Sequence, residues 1–286
     1  MTPPMSRLKV AAAQIECRPG DIPVNLALHL AAIHEARDQS VEVLVFPELS
    51  LTDYLTVPDL LALARRSTAV ELMQLSEAAG PMAVSVGFIE EAEGARFYNA
   101  QAILRGGQVQ HIHRKANLAT YGRLEERKHY APGRRVEVTS LQDSWIAATL
   151  ICADAWNPAL PWLAALQGAS LLLLPVASSV DAVAEDFDNR NGWTVNLRHT
   201  ALTYGLPVVM ANHVGARGGL RFWGGSCVLD AFGQEIARAE AEQTLVSAEI
   251  DFQDVRLART RLPTIRDADP DLVRAELDRF LRTASS

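Results

Sequence analysis

Leu150–Pro158 reads LICADAWNP. An apolar run, Trp145 to Ile151, stops at Cys152, and an alanine, an aspartate, a tryptophan and a proline follow. The pattern is a buried strand giving way to a turn and then to a helix near Pro161 to Gly168. Leu171 to Pro175 is the next apolar run, so the segment is a strand–helix–strand unit with a cysteine at a strand end. Ligand sites gather at such ends in layered α/β folds. Cys152 is therefore either a small buried hydrophobe, as most free cysteines are, or a nucleophile near backbone N–H groups able to hold a developing oxyanion.

The same alternation extends in both directions. Leu8 to Ile15 reads as a strand, Asn25 to Arg37 as a helix, and Val41 to Phe46 as a strand ending at Pro47-Glu48. Pro58 to Ala79 reads as one long helix closed by Gly80, and Met82 to Ile89 as a strand. Phe97 to Leu104 and Gln108 to His113 flank Gly106-Gly107 as a hairpin. Arg114 to Arg135 is too long and polar for an ordinary connection, and such loops tend to be functional. Phe187 to Tyr204 has a helical period, Leu206 to Ala211 is a strand, and Gly224 to Arg238 is a hairpin turning at Ala231-Phe232-Gly233. A strand near Leu245 to Ile250 and a polar helical tail close the chain. No repeat or low-complexity linker divides it, so we expect a single domain over 1–286, with its core at about 7–250.

Composition narrows the function. The 286 residues are 49% hydrophobic, enough for a large core, and the formal net charge is −7 with no basic patch, which argues against nucleic acid. The apolar runs are strand-length and no signal-peptide core precedes the first strand, so a cytoplasmic protein off the membrane is expected. Three cysteines, Cys17, Cys152 and Cys227, do not make a disulfide framework. No metal-binding spacing, GxGxxG or GxxxxGKS is present, so neither metal nor cofactor is expected.

Three residues of unusual chemistry lie at or just after predicted strand ends: Glu48, Lys115 and Cys152. A thiol with a reference pKa of about 8.5 needs a base. The histidines offer no partner: His111 and His113 fall in a strand pattern and His199 in a helix pattern. Glu48 ends the apolar strand VEVLVFPEL, where a charge is costly unless paired. Lys115 is a candidate oxyanion stabiliser, and Glu126 a second carboxylate with Glu125 as its alternative. Each of these also reads as an ordinary surface charge.

Together with their flanks these residues resemble the nitrilase (carbon–nitrogen hydrolase) superfamily. FPELSLTDY is similar to its glutamate motif, HRKANL to its lysine motif and ICADAWNP to its cysteine motif, while YGRLEERKHYAPG resembles its loop with an auxiliary glutamate. YGLPVVMANHVG and FWGGSCVLDAFGQEIA extend the likeness, which runs from about Leu8 to about Ile250. Residue by residue, it implies Glu48 as base, Lys115 as cation, Cys152 as nucleophile and Glu126 as auxiliary carboxylate. It further implies a four-layer α-β-β-α sandwich pairing into an α-β-β-α-α-β-β-α dimer or a higher homo-oligomer, with the tail 251–286 packing on a partner subunit. Asp53 replaces the usual glycine, Leu124 the usual phenylalanine, and Arg127-Lys128 alter the end of the loop, which bears on the pocket mouth. Ala155-Trp156-Asn157 resemble the glutaminase domains of glutamine-dependent NAD synthetases, yet no ATP-binding motif is present.

The implied reaction is hydrolysis of a small-molecule amide through a Cys152 thioester, with the Ala153 N–H in the oxyanion site and Glu126 positioning Lys115 or the substrate. Tyr54, Tyr121, Trp156, Trp193, Trp223 and Phe222 are candidate pocket residues, and Arg190 and Arg217 candidate carboxylate binders. A nitrile or an N-carbamoyl compound is an alternative substrate, since the same triad serves all three. Acyl transfer to an amine, a silent binding module and redox pairing of Cys152 with Cys17 or Cys227 remain as other classes.

Overall fold

Alternation along the strands sorts the side chains into layers. The computed structural model describes residues 7–54, 59–184 and 186–284. One six-stranded sheet has the order β14-β1-β2-β3-β4-β5. Its strands are β1 (Arg7–Gln14), β2 (Val43–Val45), β3 (Ala83–Ala92), β4 (Arg96–Arg105), β5 (Gln108–Arg114) and β14 (Thr244–Asp251). The second sheet has the order β13-β12-β9-β8-β7-β6. It comprises β6 (Val138–Gln142), β7 (Trp145–Thr149), β8 (Leu171–Val176), β9 (Val208–Asn212), β12 (Cys227–Leu229) and β13 (Glu235–Arg238). Each sheet has three adjacent parallel strands, β1-β2-β3 and β7-β8-β9, flanked by antiparallel ones.

In β1, Leu8, Val10 and Ala12 face the second sheet, meeting Trp145, Leu171, Leu173 and Val209. Ala11 and Ala13 face outward, where the cluster includes residues of α1 (Ile22–Asp38) and α3 (Val70–Ala79). In β8, Leu171 and Leu173 point between the sheets, while Leu172 and Leu174 meet α4 (Ala159–Leu166) and α5 (Asn189–Tyr204). A period of two in strands buried on both faces thus yields helix, sheet, sheet, helix, the expected α-β-β-α sandwich.

Several boundaries differ from the sequence reading. The helix expected over Pro58 to Ala79 is broken, and its first residue lies outside the described residues. A short α2 (Leu60–Leu63) is followed by an extended Ala64, and α3 begins at Val70. Between them Arg65 adds a backbone rung to β3: its N–H donates to the Ile89 carbonyl at 2.8 Å and its carbonyl accepts from Glu91 N at 2.9 Å. Sheet hydrogen bonds here override helical period. Helix α1 starts three residues before the expected Asn25 because the Asp21 carboxylate accepts from Val24 N at 3.1 Å. The hairpin of β10 (Val214–Arg217) and β11 (Leu220–Trp223) escaped the reading although Gly218-Gly219, both at positive φ, mark its turn.

The tail divides. Helix α6 (Phe252–Arg261) packs on its own chain. Val255 and Ala258 are buried in the inter-sheet cluster, and Arg259 Nε donates to the Tyr204 carbonyl at 3.1 Å. Helix α7 (Pro270–Ala284) buries none of its residues, and Leu272, Leu277 and Phe280 are more than half exposed. Among the described residues no helix is long and apolar enough to cross a membrane.

Candidate active site

Glu48 follows β2, Lys115 follows β5 and Cys152 follows β7, so the loops bring three distant segments to one end of the sandwich. The loop after β2 lies against β3 because Gly87 has no side chain: a Cβ there would fall 2.3 Å from Leu49 N and 2.6 Å from the Pro47 carbonyl. The turn residues Leu49, Asp53 and Cys152 all have positive φ, at 52°, 66° and 46°. That conformation is strained for a side-chain-bearing residue and persists where surrounding structure enforces it.

Lys115 is fully buried between two carboxylates. Its Nζ donates to Glu48 Oε1 at 2.6 Å and to Glu126 Oε1 at 2.7 Å. Burial opposes the ammonium, but Glu126, Glu48 and Cys152 outweigh it and hold Lys115 well above the ordinary lysine pKa. An ammonium has three donors, so one N–H remains beyond the two carboxylates.

The two glutamates differ in their free valence. Glu126 has both oxygens engaged: Oε1 also accepts from Tyr54 Oη at 2.7 Å, and Oε2 accepts from Ala119 N at 2.9 Å. Glu48 Oε1 accepts from Lys115 and from Asn99 Nδ2 at 2.7 Å, whereas its buried Oε2 has no partner among the described residues. Burial raises the Glu48 pKa, against the opposing pull of Lys115. Cys152 lies within electrostatic reach of Glu48, Lys115 and Glu126. Burial first and the Glu48 charge second push its thiol well above the usual value, opposed by Lys115 and by the Ala177 backbone N–H, which donates to the sulfur. The resting group is a neutral thiol beside an ionisable carboxylate.

Residues absent from the sequence reading hold this arrangement. Asp154, two positions past the cysteine, joins the cysteine and lysine loops. Its Oδ1 accepts from Ala116 N at 2.9 Å and Asn117 N at 2.7 Å, and its Oδ2 from Ile151 N at 3.0 Å and His113 Nε2 at 2.9 Å. An aspartate beside an apolar strand end was its available signal, as a polar residue within FYNAQAIL was for Asn99. His213 Nε2 donates to the Glu48 carbonyl at 2.7 Å, which leaves Nδ1 to accept from Arg217 Nη2 at 3.0 Å. The ring is therefore neutral, and burial lowers its pKa to about 4.

The remaining expected residues separate. Tyr121, Trp156 and Trp193 line a cavity of about 270 Å³ with Cys152. Tyr54 lies beneath, bound to Glu126, and Ala153 is the buried second residue of the short 3₁₀ turn Cys152–Trp156. Trp223 and Phe222 are buried outside that lining. Arg217 is not free for a substrate: its Nε and Nη2 grip the Asp53 carboxylate, the latter at 2.6 Å, and it stacks over Phe222. Asp53 is thereby buried and neutralised rather than placed at the mouth. Arg190 lines an outer groove that adjoins this cavity through Val183, Phe187 and Asn189. Glu125 is exposed and paired with Lys128, which leaves Glu126 as the inward carboxylate. All three cysteines are free thiols.

The family described as Carbon-nitrogen hydrolase matches residues 9–260. A glutamine-dependent NAD(+) synthetase of Thermotoga maritima is 30% identical over 260 residues, covering 87% of this chain and 43% of the synthetase. Against an Acinetobacter baylyi synthetase the chain spans 52%, so it matches about half the length of these relatives. A citrullinase of Francisella tularensis is 25% identical over 281 residues, covering 94% of this chain and 97% of that protein. An amidase from Nesterenkonia sp. superposes with a TM-score of 0.79 over 94% of this chain and 95% of its own, at 23% identity, a likeness of fold. With buried charges at the ends of its strands and a family match over most of its length, the chain belongs to the carbon–nitrogen hydrolase family.

Proposed function

We propose that the protein hydrolyses the carbon–nitrogen bond of a small-molecule amide through a thioester on Cys152. The observation that carries this reading is the division of labour between the carboxylates: Glu126 has both oxygens engaged, while Glu48 keeps a buried oxygen without a partner among the described residues. Glu48 Oε2 takes the thiol proton as Sγ attacks the amide carbon. The third N–H of Lys115 and the Ala153 N–H stabilise the oxyanion. Protonated Glu48 then delivers its proton to the leaving nitrogen, the carbon–nitrogen bond breaks, and ammonia departs. Water, deprotonated by Glu48, attacks the thioester, and the proton returns to sulfur as the carboxylate product leaves.

N-carbamoyl hydrolysis is the second reading, favoured by the full-length match to a citrullinase. Ammonia release by wild type and Cys152→Ala over amides, N-carbamoyl compounds and nitriles tests both. Release that vanishes in the variant, with an acyl adduct on Cys152 by mass spectrometry, supports the thioester. Release that persists refutes it. The exposed apolar stripe of α7 further supports a homodimer in which that helix packs on a second copy.

A further inference from the structure

Beside Cys152 lies a cavity built almost wholly from apolar side chains. Its walls include Tyr121, Leu124, Trp156, Ala182, Phe187 and Trp193. Among the described residues no aspartate, glutamate, lysine or arginine lines it. Besides Cys152 and the Tyr121 hydroxyl, the lining has the polar residues Ser178 and Asn189, and these two are tied into the scaffold. Asn189 Nδ2 donates to Ser178 Oγ at 3.0 Å and to the Ser179 carbonyl at 2.6 Å, and Trp223 Nε1 donates to the same Ser178 Oγ at 3.0 Å.

The aromatic wall is arranged around a gap in a helix surface. Trp156 meets Trp193 edge-on, with ring centroids 5.2 Å apart, and Phe187 at 6.4 Å. Both Trp156 and Phe187 close against α5 at Gly192, where a Cβ would come within 3.1 Å of one ring and 3.2 Å of the other. These two rings are 39% and 40% exposed, so they retain apolar surface that a ligand can cover. A dry apolar cavity of about 150 Å³ accepts benzene, so about 270 Å³ leaves room for an aryl ring and a short linker.

Resting on the assignment of Cys152 as nucleophile, we propose that the substrate's acyl group is an uncharged aryl or medium-chain alkyl body seated against Trp156 and Phe187. Glutamine, citrulline and N-carbamoylputrescine each carry a charged end. Seated among these rings, such a charge would leave water without a counter-ion in the lining, which disfavours it strongly; the arginines Arg123, Arg190 and Arg221 belong to the adjoining groove. An apolar pocket rejects even an added hydroxyl by about 10²-fold at most, and an unpaired charge fares worse.

The experiment separates the substrate class from the chemistry. Phenylacetamide, hexanamide, glutamine, citrulline and N-carbamoylputrescine are titrated calorimetrically into Cys152→Ala, with Cys152→Ser as the replacement if the alanine variant folds poorly. The same amides are offered to wild type, with ammonia and the Cys152 adduct followed. We expect the two apolar amides to bind about 10²-fold or more tighter than the charged compounds. We also expect Trp156→Ala to narrow the phenylacetamide-to-acetamide ratio of kcat/KM by about 10-fold or more. Charged compounds binding as tightly as the apolar ones, or no apolar amide binding at all, overturns the proposal and leaves the Cys152 chemistry standing. Tight apolar binding with neither ammonia nor adduct overturns the hydrolase reading and leaves the ligand class standing.

Discussion

The Glu48–Lys115–Glu126 cluster and helix α7 both invert the usual rule of burial, in opposite senses. The first places three ionisable side chains in the interior at 0 to 3% exposure. The second leaves Leu272, Leu277 and Phe280 more than half exposed on a helix that buries nothing. The cluster resolves its inversion within the chain, since each charge finds an opposite charge at 2.6 to 2.7 Å and Asn99, Tyr54 and Ala119 supply further hydrogen bonds. The apolar stripe of α7 is left exposed by the described residues. An inversion completed by neighbours points to chemistry at that place. One left open points outward, to another surface.

Removing the centre of the cluster should have the largest effect. Lys115→Met leaves two buried carboxylates facing each other, and losing one partner of a buried pair costs about 3–5 kcal/mol. We expect a denaturation midpoint lowered accordingly and turnover reduced by about 10²-fold or more. A variant as stable as wild type would break the claim that Lys115 holds the two buried carboxylates together.

The glutamates sharpen the contrast further. Glu48→Gln should reduce kcat by about 10² to 10⁴-fold, the range for a general base, and abolish the acidic limb of the pH–rate profile. Because burial raises the Glu48 pKa, activity in wild type should fall with decreasing pH at values above the ordinary carboxylate range. Glu126→Gln should lower the rate yet keep that limb. Identical profiles in the two variants would refute the division of roles.

Two buried histidines set a third expectation. Burial lowers both His29 and His213 from 6.5 to about 4. Between those values the unfolded chain binds protons that the folded one does not, so stability falls as pH drops from about 6.5 toward about 4. Each histidine contributes about 3 kcal/mol to that loss. Urea midpoints at pH 7 and pH 5 capture about 2 kcal/mol of it per ring, and a flat dependence would show that the rings are charged when folded.

The smallest effect on monomer stability is expected at α7. Leu277→Glu lies on an exposed surface and should change it by no more than about 0.5 kcal/mol. If a second copy covers the stripe, the same substitution should convert a dimer to a monomer in sedimentation equilibrium. An unchanged assembly would remove α7 from the interface.

Much of this architecture is legible along the chain. Runs such as Leu171–Val176 announce doubly buried strands, and FPEL, HRK and ICAD place one unusual residue at each of three strand ends. The break at Arg65 was not legible, because its helical period competes with a sheet edge formed by Ile89 and Glu91. Arg217 read as a possible substrate contact, yet it is occupied by Asp53, 164 residues away in sequence.

By itself, the sequence determined that Glu48, Lys115 and Cys152 stand at strand ends, because a period of two and the turn residues after it are local properties of the chain. Tertiary structure alone decided that Glu126 has both oxygens engaged while Glu48 has one without a partner among the described residues, that Asp154 ties two loops together, and that the space beside Cys152 is largely apolar. Hydrogen-bond saturation and cavity lining depend on groups distant in sequence, and only the packed fold brings these together.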